Sequence, residues 1–276
     1  MKNLVTRSIS GFVFVLSMMA SLLINKYIFC VVSIVALTLL MYEFFRMTMG
    51  KQYKYSQILT IFASCLLFLL TFSYRAFDVP GRFAILAFLP FFIVMINSLY
   101  IKEKKDFGLF SNLYTAIIYI LVPIALSNFA VFRSSADFDG KLLLSIYIII
   151  WATDVGGYVF GTTLGQRYGK KLMPDVSPKK SWIGYWGGLA FAIIVSVGLY
   201  YLKIMDFELI HCVILGVLIN VSGVYGDLVE SQWKRHYAIK DTGKIMPGHG
   251  GILDRFDSAL FAIPVAVIYL VLLNLI

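Results

Sequence analysis

Four carboxylates stand in two pairs near the end of the chain: Asp227 with Glu230 and, twenty-seven residues after Asp227, Asp254 with Asp257. A spacing of three residues predicts that the members of each pair share a helical face. Carboxylates gathered this closely repel one another unless cations neutralise them, and oxygen-only donors suit magnesium rather than zinc or copper. Between the pairs lie Lys234, Arg235, Lys240 and Lys244, then Pro247 and the run Gly248-His249-Gly250-Gly251. Bases beside a magnesium site are what phosphoryl or nucleotidyl transfer needs, because the transition state spreads negative charge over phosphate oxygens and the leaving group is anionic. Glycines permit close approach of backbone to a phosphate. His249 reads either as a base or as a brace for its loop. Taken singly, Lys234, Arg235 and Lys240 also have a plainer reading as topological anchors paired with Asp241 or Glu230.

A second polar group lies upstream. Asp154 interrupts the apolar stretch IIIWATDVGGYVFG, and an aspartate inside such a stretch must find a cation, a water-filled cavity or protein donors, which makes it a candidate wall of a polar site. Its neighbours Gly156, Gly157 and Gly161 would let another helix come close. Further on, Ser177, Pro178, Lys179, Lys180 and Ser181 precede an apolar run. Serine hydroxyls and free N–H groups at a helix start can bind phosphate oxygens, and lysines add point charges. The alternative is a positive anchor with a helix cap. The nearby GQRYGKK is not a phosphate-binding P-loop, since the glycine spacing is too short and no Ser or Thr follows the lysine. No GxSxG elbow and no HExxH zinc helix occurs, and Asp254-Arg255-Phe256-Asp257 lacks the longer pattern of the CDP-alcohol transferases that share a DxxD.

The elements that must position these residues are membrane spans. Of 276 residues 60% are hydrophobic and only 14% charged, with a mean hydropathy of +0.84, about half the charged fraction of a soluble domain. Stretches of about 20 apolar residues predict nine spans at roughly 8–25, 27–45, 57–74, 82–101, 113–132, 142–163, 183–202, 208–226 and 257–275. The expected class is an all-α, polytopic integral membrane protein in one membrane-embedded unit, with N-terminal helices in 1–135 and a catalytic region in 136–276. Eighteen of the 24 Lys and Arg, including Lys102, Lys104 and Lys105 in the mixed run IKEKKDF, fall on one side of such a topology, which places the N-terminus in the cytoplasm and the C-terminus across the membrane. The first span follows a short basic start without a small-residue cleavage site and reads as a retained anchor. The net charge of +9 is assigned to loops facing anionic headgroups, not to nucleic acid. Cys30, Cys65 and Cys212 lie at or within apolar spans as small buried hydrophobes. Glu43 is the one acid embedded in a span of the first half and reads as a partner for Arg46 or as a functional acid.

At these residues the chain resembles a family. Ser231-x-x-Lys234-Arg235-x4-Lys240-Asp241-x-Gly243-x3-Pro247-x-His249-Gly250-Gly251-x-x-Asp254-Arg255-x-Asp257 is similar to the C-terminal signature of phosphatidate cytidylyltransferases. Asp154, Tyr158, Gly161, Gly165, Ser177 to Ser181 and Gly184 extend the likeness over roughly residues 150–260. The chain departs from it at Trp233 and Met246, where smaller or branched aliphatic residues are usual, at Gly157, where Ala is usual, and at Ile183, where Glu is common, so no role of that acid carries over. The first half resembles the family only as a hydrophobic multi-span region.

The resemblance implies condensation of CTP with phosphatidic acid to CDP-diacylglycerol and pyrophosphate, on an all-helical membrane fold. It implies magnesium at Asp227 and Asp254, with Asp257, Glu230 and Asp154 supporting, and leaves open a second cation. Ser177, Pro178, Lys179, Lys180 and Ser181 are expected at the phosphates, Lys234, Arg235 and Lys240 at substrate or pyrophosphate charge, Ser231 and Arg255 beside the substrates, and His249 as a positioning group. The expected location is a bacterial inner membrane with the site facing the cytoplasm, and the glycine-rich spans are compatible with a homodimer. A cation-coupled transporter would instead need polar groups through the midplane of two related halves, and no internal repeat occurs. Within enzymes, a CTP-using lipid kinase or a cytidylyltransferase for another lipid phosphate is the alternative.

Overall fold

The computed structural model describes residues 2–101, 106–134 and 136–276. Lys102, Lys104 and Lys105, assigned above to the cytoplasmic side, lie outside the described residues. Among those described, nine helical stretches are long and apolar enough to cross a membrane: Thr6–Leu23, Lys26–Thr48, Lys54–Phe77, Gly81–Tyr100, Asp106–Ala130, Lys141–Tyr168, Trp182–Tyr201, Leu209–His236 and Leu253–Leu272. The protein is an all-α, polytopic membrane protein, and each expected span has its counterpart. The largest difference is at the eighth, which runs ten residues past 226. Hydrophobicity stops at Gly226, but half of DLVESQWKRH are good helix formers, it holds no Gly or Pro, and the helix continues through it. Lys234, Arg235 and His236 occupy its last turn, where cations oppose the negative end of the helix dipole. Asp227 and Glu230 thus lie one turn apart on one helix, as their spacing predicted, and the same helix also carries Lys234.

The chain divides into two compact units. The first comprises Met1–Asp139 with Asp241–Arg255. It contains α1 (Lys2–Leu23), α2 (Lys26–Thr48), α3 (Lys54–Phe77), α4 (Phe88–Asn97), the short helices α5 (Asp106–Phe110), α6 (Asn112–Ala116) and α7 (Val122–Ala130), and a small hairpin of β1 (Phe132–Ser134) and β2 (Asp137–Phe138). Asn25 starts α2 by accepting from the N–H groups of Tyr27 and Ile28, both at 3.0 Å, which satisfies donors a helix start leaves without partners. Phe29, Phe68, Phe72 and Phe132 form its aromatic core, with ring centroids 5.8 to 6.5 Å apart.

The second unit comprises Gly140–Lys240 and Phe256–Ile276. Here α8 (Lys141–Phe160) continues through a π-turn, Gly161–Gly165, into α9 (Gln166–Tyr168); a hairpin of β3 (Lys171–Met173) and β4 (Ser177–Ser181) follows, then α10 (Trp182–Tyr201) and α11 (Leu209–His236). The four-residue α12 (Leu253–Phe256), whose first three residues belong to the first unit, precedes α13 (Ala259–Leu272), which closes the chain. The glycines expected to allow close packing do so between α8 and α10. A Cβ at Gly156 would stand 2.6 Å from Gly187 O and 2.9 Å from Phe191 Cβ, and one at Gly184 would stand 2.9 Å from Gly157 O. Backbone cannot yield as a flexible side chain does, so Gly156→Ala should cost about 1–3 kcal/mol. Thermal unfolding in detergent checks this, with Gly198→Ala as the neutral control, because nothing lies within 4 Å of a Cβ at Gly198.

Candidate active site

Ser177 to Ser181 form strand β4, paired antiparallel with β3 in the register Lys171 to Ser181 and Met173 to Ser177. The strand delivers Ser181 to the start of α10, where its hydroxyl accepts from Gly184 N at 3.2 Å. This is the helix cap of the plainer reading. The cap packs so tightly against the π-turn that a Cβ at Gly165 would run into the Ser181 hydroxyl. Gln166 Nε2 donates to Lys179 O at 2.7 Å, and Arg235 Nε of α11 donates to Val176 O at 3.3 Å, holding the hairpin from both sides.

The hairpin, α8, α10 and α11 enclose a cavity of about 630 Å³, whose lining includes Asp154, Lys179, Lys180, Ser181 and Asp227. Five of the residues read as site candidates are therefore brought to one space. Lys180 Nζ lies 2.6 Å from Asp227 Oδ2, and Ser231 Oγ donates to Asp227 Oδ1 at 3.1 Å. Both oxygens of Asp227 are thus aimed by neighbours. One turn on, Glu230 is fully buried and ion-paired to Lys234 at 3.4 Å. Asp257 lies beside Glu230, within charge range of Asp227 and Lys234, and accepts from Ser258 N at 2.7 Å. Three acids and two lysines thereby form one network around the end of α11. Ser177 and Pro178 lie at the far end of β4 and do not line the cavity, and Lys240 is exposed beyond α11.

The remaining candidates belong to the first unit. The segment 241–255 turns back on itself at Met246 to His249, with His249 N donating to Met246 O and Met246 N to Gly250 O, both at 3.0 Å. Gly248 and Gly250 have φ of +77° and +89°, a region that side chains rarely adopt. Asp254 organises this segment: its Oδ2 accepts from Gly251 N at 2.8 Å, Thr242 N at 3.0 Å and Thr242 Oγ1 at 3.1 Å. Beneath it lies Glu43 of α2, 1% exposed. Its Oε2 accepts from Leu253 N at 2.9 Å and Thr242 Oγ1 at 3.3 Å, and side chains at Gly243 or Gly251 would collide with its carboxylate. Asp254 and Asp257 do not share a continuous helical face as the spacing predicted. The helix breaks at Asp257 and Ser258, where the Asp257 carboxylate bonds the backbone and competes with helical pairing.

His249 braces its loop. Its Nδ1 lies 2.8 Å from Ser10 Oγ of α1, and the same hydroxyl lies 2.9 Å from Pro247 O. Arg255 Nη2 donates to His249 O at 3.3 Å. Partial burial, then the nearby cations Arg255 and Arg7, push the imidazole below its ordinary value of 6.5. The unfolded chain therefore binds this proton more readily than the folded one, so the stability the ring contributes is complete above about pH 6.5 and falls as pH drops through the folded value. Amide exchange across 246–251, corrected for intrinsic rate, should speed up between pH 7.5 and 5.5. The same change should be absent in His249→Asn.

Among the described residues no group of three or more His, Cys, Asp or Glu side chains forms a ready metal cage. Sequence reasoning missed Asn220 and Thr153, which also line the cavity. Their signal was a polar residue inside an apolar span.

A model of the cytidylyltransferase family matches residues 5–273. The chain is 33% identical over 205 residues to the phosphatidate cytidylyltransferase of Bacillus subtilis (strain 168), covering 72% of each. It is 37% identical over 182 residues to that of Staphylococcus aureus (strain COL), covering 65% of this chain and 66% of the relative. With Staphylococcus haemolyticus (strain JCSC1435) the identity is 35% over 172 residues, covering 62% and 64%. With its family match running almost end to end and relatives of one name at 33–37% identity, the chain belongs to the cytidylyltransferase family.

Proposed function

We propose that this protein is a phosphatidate cytidylyltransferase: it joins CTP to phosphatidic acid, giving CDP-diacylglycerol and pyrophosphate, from within a bacterial inner membrane and with its site facing the cytoplasm. The observation that carries the reading is the Lys180–Asp227 pair at 2.6 Å on the wall of the cavity, in a chain whose curated relatives carry that name.

The reaction needs little proton chemistry. A phosphate monoester is largely dianionic at neutral pH, its second pKa being about 6. An oxygen of phosphatidic acid attacks the α-phosphorus of CTP in line, the bond from that phosphorus to the bridging oxygen breaks, and pyrophosphate leaves with the electron pair. Lys179 and Lys180 neutralise the charge that accumulates on the phosphate oxygens. Lys234 and Arg235 hold the acid network and the hairpin that positions those lysines. No strong base is required, which suits a His249 held neutral and engaged with Ser10.

Magnesium fits these residues. It binds through one or two carboxylates together with substrate phosphates, without an all-protein cage. Asp227 and Asp257 are close enough to repel, a repulsion a divalent cation relieves. Both would hold the metal, which supplies charge neutralisation at the leaving pyrophosphate. Lys180 and Asp227 neutralise each other in the resting site, and in the loaded site Lys180 would turn to a phosphate oxygen. Asp254, the other acid expected at magnesium, belongs to the first unit, where its Oδ2 takes three hydrogen bonds.

The test is incubation of the purified protein in detergent with CTP, magnesium and either phosphatidic acid or diacylglycerol, followed by mass analysis of the lipid. CDP-diacylglycerol from phosphatidic acid is expected. Phosphorylation of diacylglycerol instead would assign a CTP-using lipid kinase.

A further inference from the structure

Away from the lysines, the cavity has a second polar corner. Asn220 of α11 is 0% exposed and Thr153 of α8 is 5% exposed, and both line the cavity. Among the described residues, neither end of the Asn220 amide and not the Thr153 hydroxyl meets a hydrogen-bond partner. The backbone of α10 lies against this corner at Gly188, where a Cβ would stand 2.9 Å from Thr153 O and 3.1 Å from Asn220 Oδ1. A glycine there leaves the amide open to the space beside it.

A buried amide with both ends unmet is costly in an apolar surrounding, so the partner it fits must offer an acceptor and a donor side by side. An acyl chain offers neither. A phosphate or an ester carbonyl offers acceptors alone and would leave the amide oxygen unmet. The edge of a nucleobase offers both, and Gly157, Gly184 and Gly188 also line the cavity. The distance also suits a nucleotide. Asn220 stands seven residues before Asp227 on one helix, a rise of about 10 Å, close to the reach from a pyrimidine's outer edge to its first phosphate.

Resting on the function proposed above, we infer that Asn220 and Thr153 form the base-recognition corner of the nucleotide site, with the pyrimidine at Asn220 and its phosphates toward Lys180 and Asp227. Asn220 is then a specificity-determining residue.

The experiment compares CTP with inorganic tripolyphosphate, which has the phosphates and no base, by calorimetric titration of the full chain in detergent with magnesium. Asn220→Leu is nearly isosteric and removes an unmet buried polar group, so folding is preserved. Its dissociation constant for CTP should rise at least about tenfold, the loss expected when a site built for hydrogen bonds loses them, while that for tripolyphosphate stays within about twofold. Unchanged CTP binding, or a parallel loss for both ligands, would overturn the inference, since the amide would then serve packing alone. Thr153→Val provides a second variant with the same expectation and the same refutation. Failure of the unmodified protein to make CDP-diacylglycerol would refute the proposed function itself. Altered binding in the variants alone concerns only the base corner.

Discussion

Asp227→Asn should lower CDP-diacylglycerol formation by about a thousandfold while leaving helical content and thermal stability close to those of the unmodified protein. The side chain is half-buried and its shape is kept, so packing hardly changes. What is lost is charge: Oδ2 pairs with Lys180 at 2.6 Å and Oδ1 accepts from Ser231 at 3.1 Å. An amide still accepts from Ser231, yet it can neither serve the proposed magnesium site as a carboxylate would nor hold Lys180 in place. Removing one group aimed at transition-state charge costs two to three orders of magnitude in other enzymes, and Asp227 carries two such duties. Lys180→Met should fall nearly as far. The double variant should be no worse than the worse single one, because the two residues act as a unit. Additive losses in that cycle would show that they act separately.

Glu43→Ala should be the most damaging substitution in the first half of the chain. The carboxylate is buried under the 241–255 segment, and its removal strands Leu253 N, loosens Thr242 and opens a void against Gly243 and Gly251. Each buried donor left without a partner costs about 1–3 kcal/mol. Thr242 also donates to Asp254, so turnover should drop by one to two orders of magnitude alongside a lowered unfolding temperature in detergent. Glu43→Gln keeps an oxygen for Leu253 N and should recover most of the stability. An alanine variant as stable and active as the unmodified chain would remove Glu43 from the account.

The membrane spans were legible because each is a run of about 20 apolar residues, a signal that needs no partner. The acids and lysines of the second unit were legible through residue type and spacing, and Ser181 was correctly suspected as a cap. Other features depended on contacts between residues far apart in sequence. Glu43 was paired with Arg46 by proximity along the chain, whereas its partners are Thr242 and Leu253, about two hundred residues away. The strand Ser177–Ser181 carries a proline and two lysines and shows no alternation, so only its pairing with Lys171–Met173 reveals it. Asp254 and Asp257 misled because a spacing of three means a shared face only where the helix is unbroken. Asn220 gave a signal that went unread: an amide inside an apolar span.

The reaction proposed for this cavity is nucleotidyl transfer from CTP to phosphatidic acid. The most direct measurement follows two labels with purified protein, phosphatidic acid and magnesium: phosphorus label at the α-position of CTP in one reaction and at the γ-position in the other. The expected result is α-label in lipid and γ-label in pyrophosphate, with both transfers lost in Asp227→Asn. Label from the γ-position in lipid, or full transfer by Asp227→Asn, would contradict it.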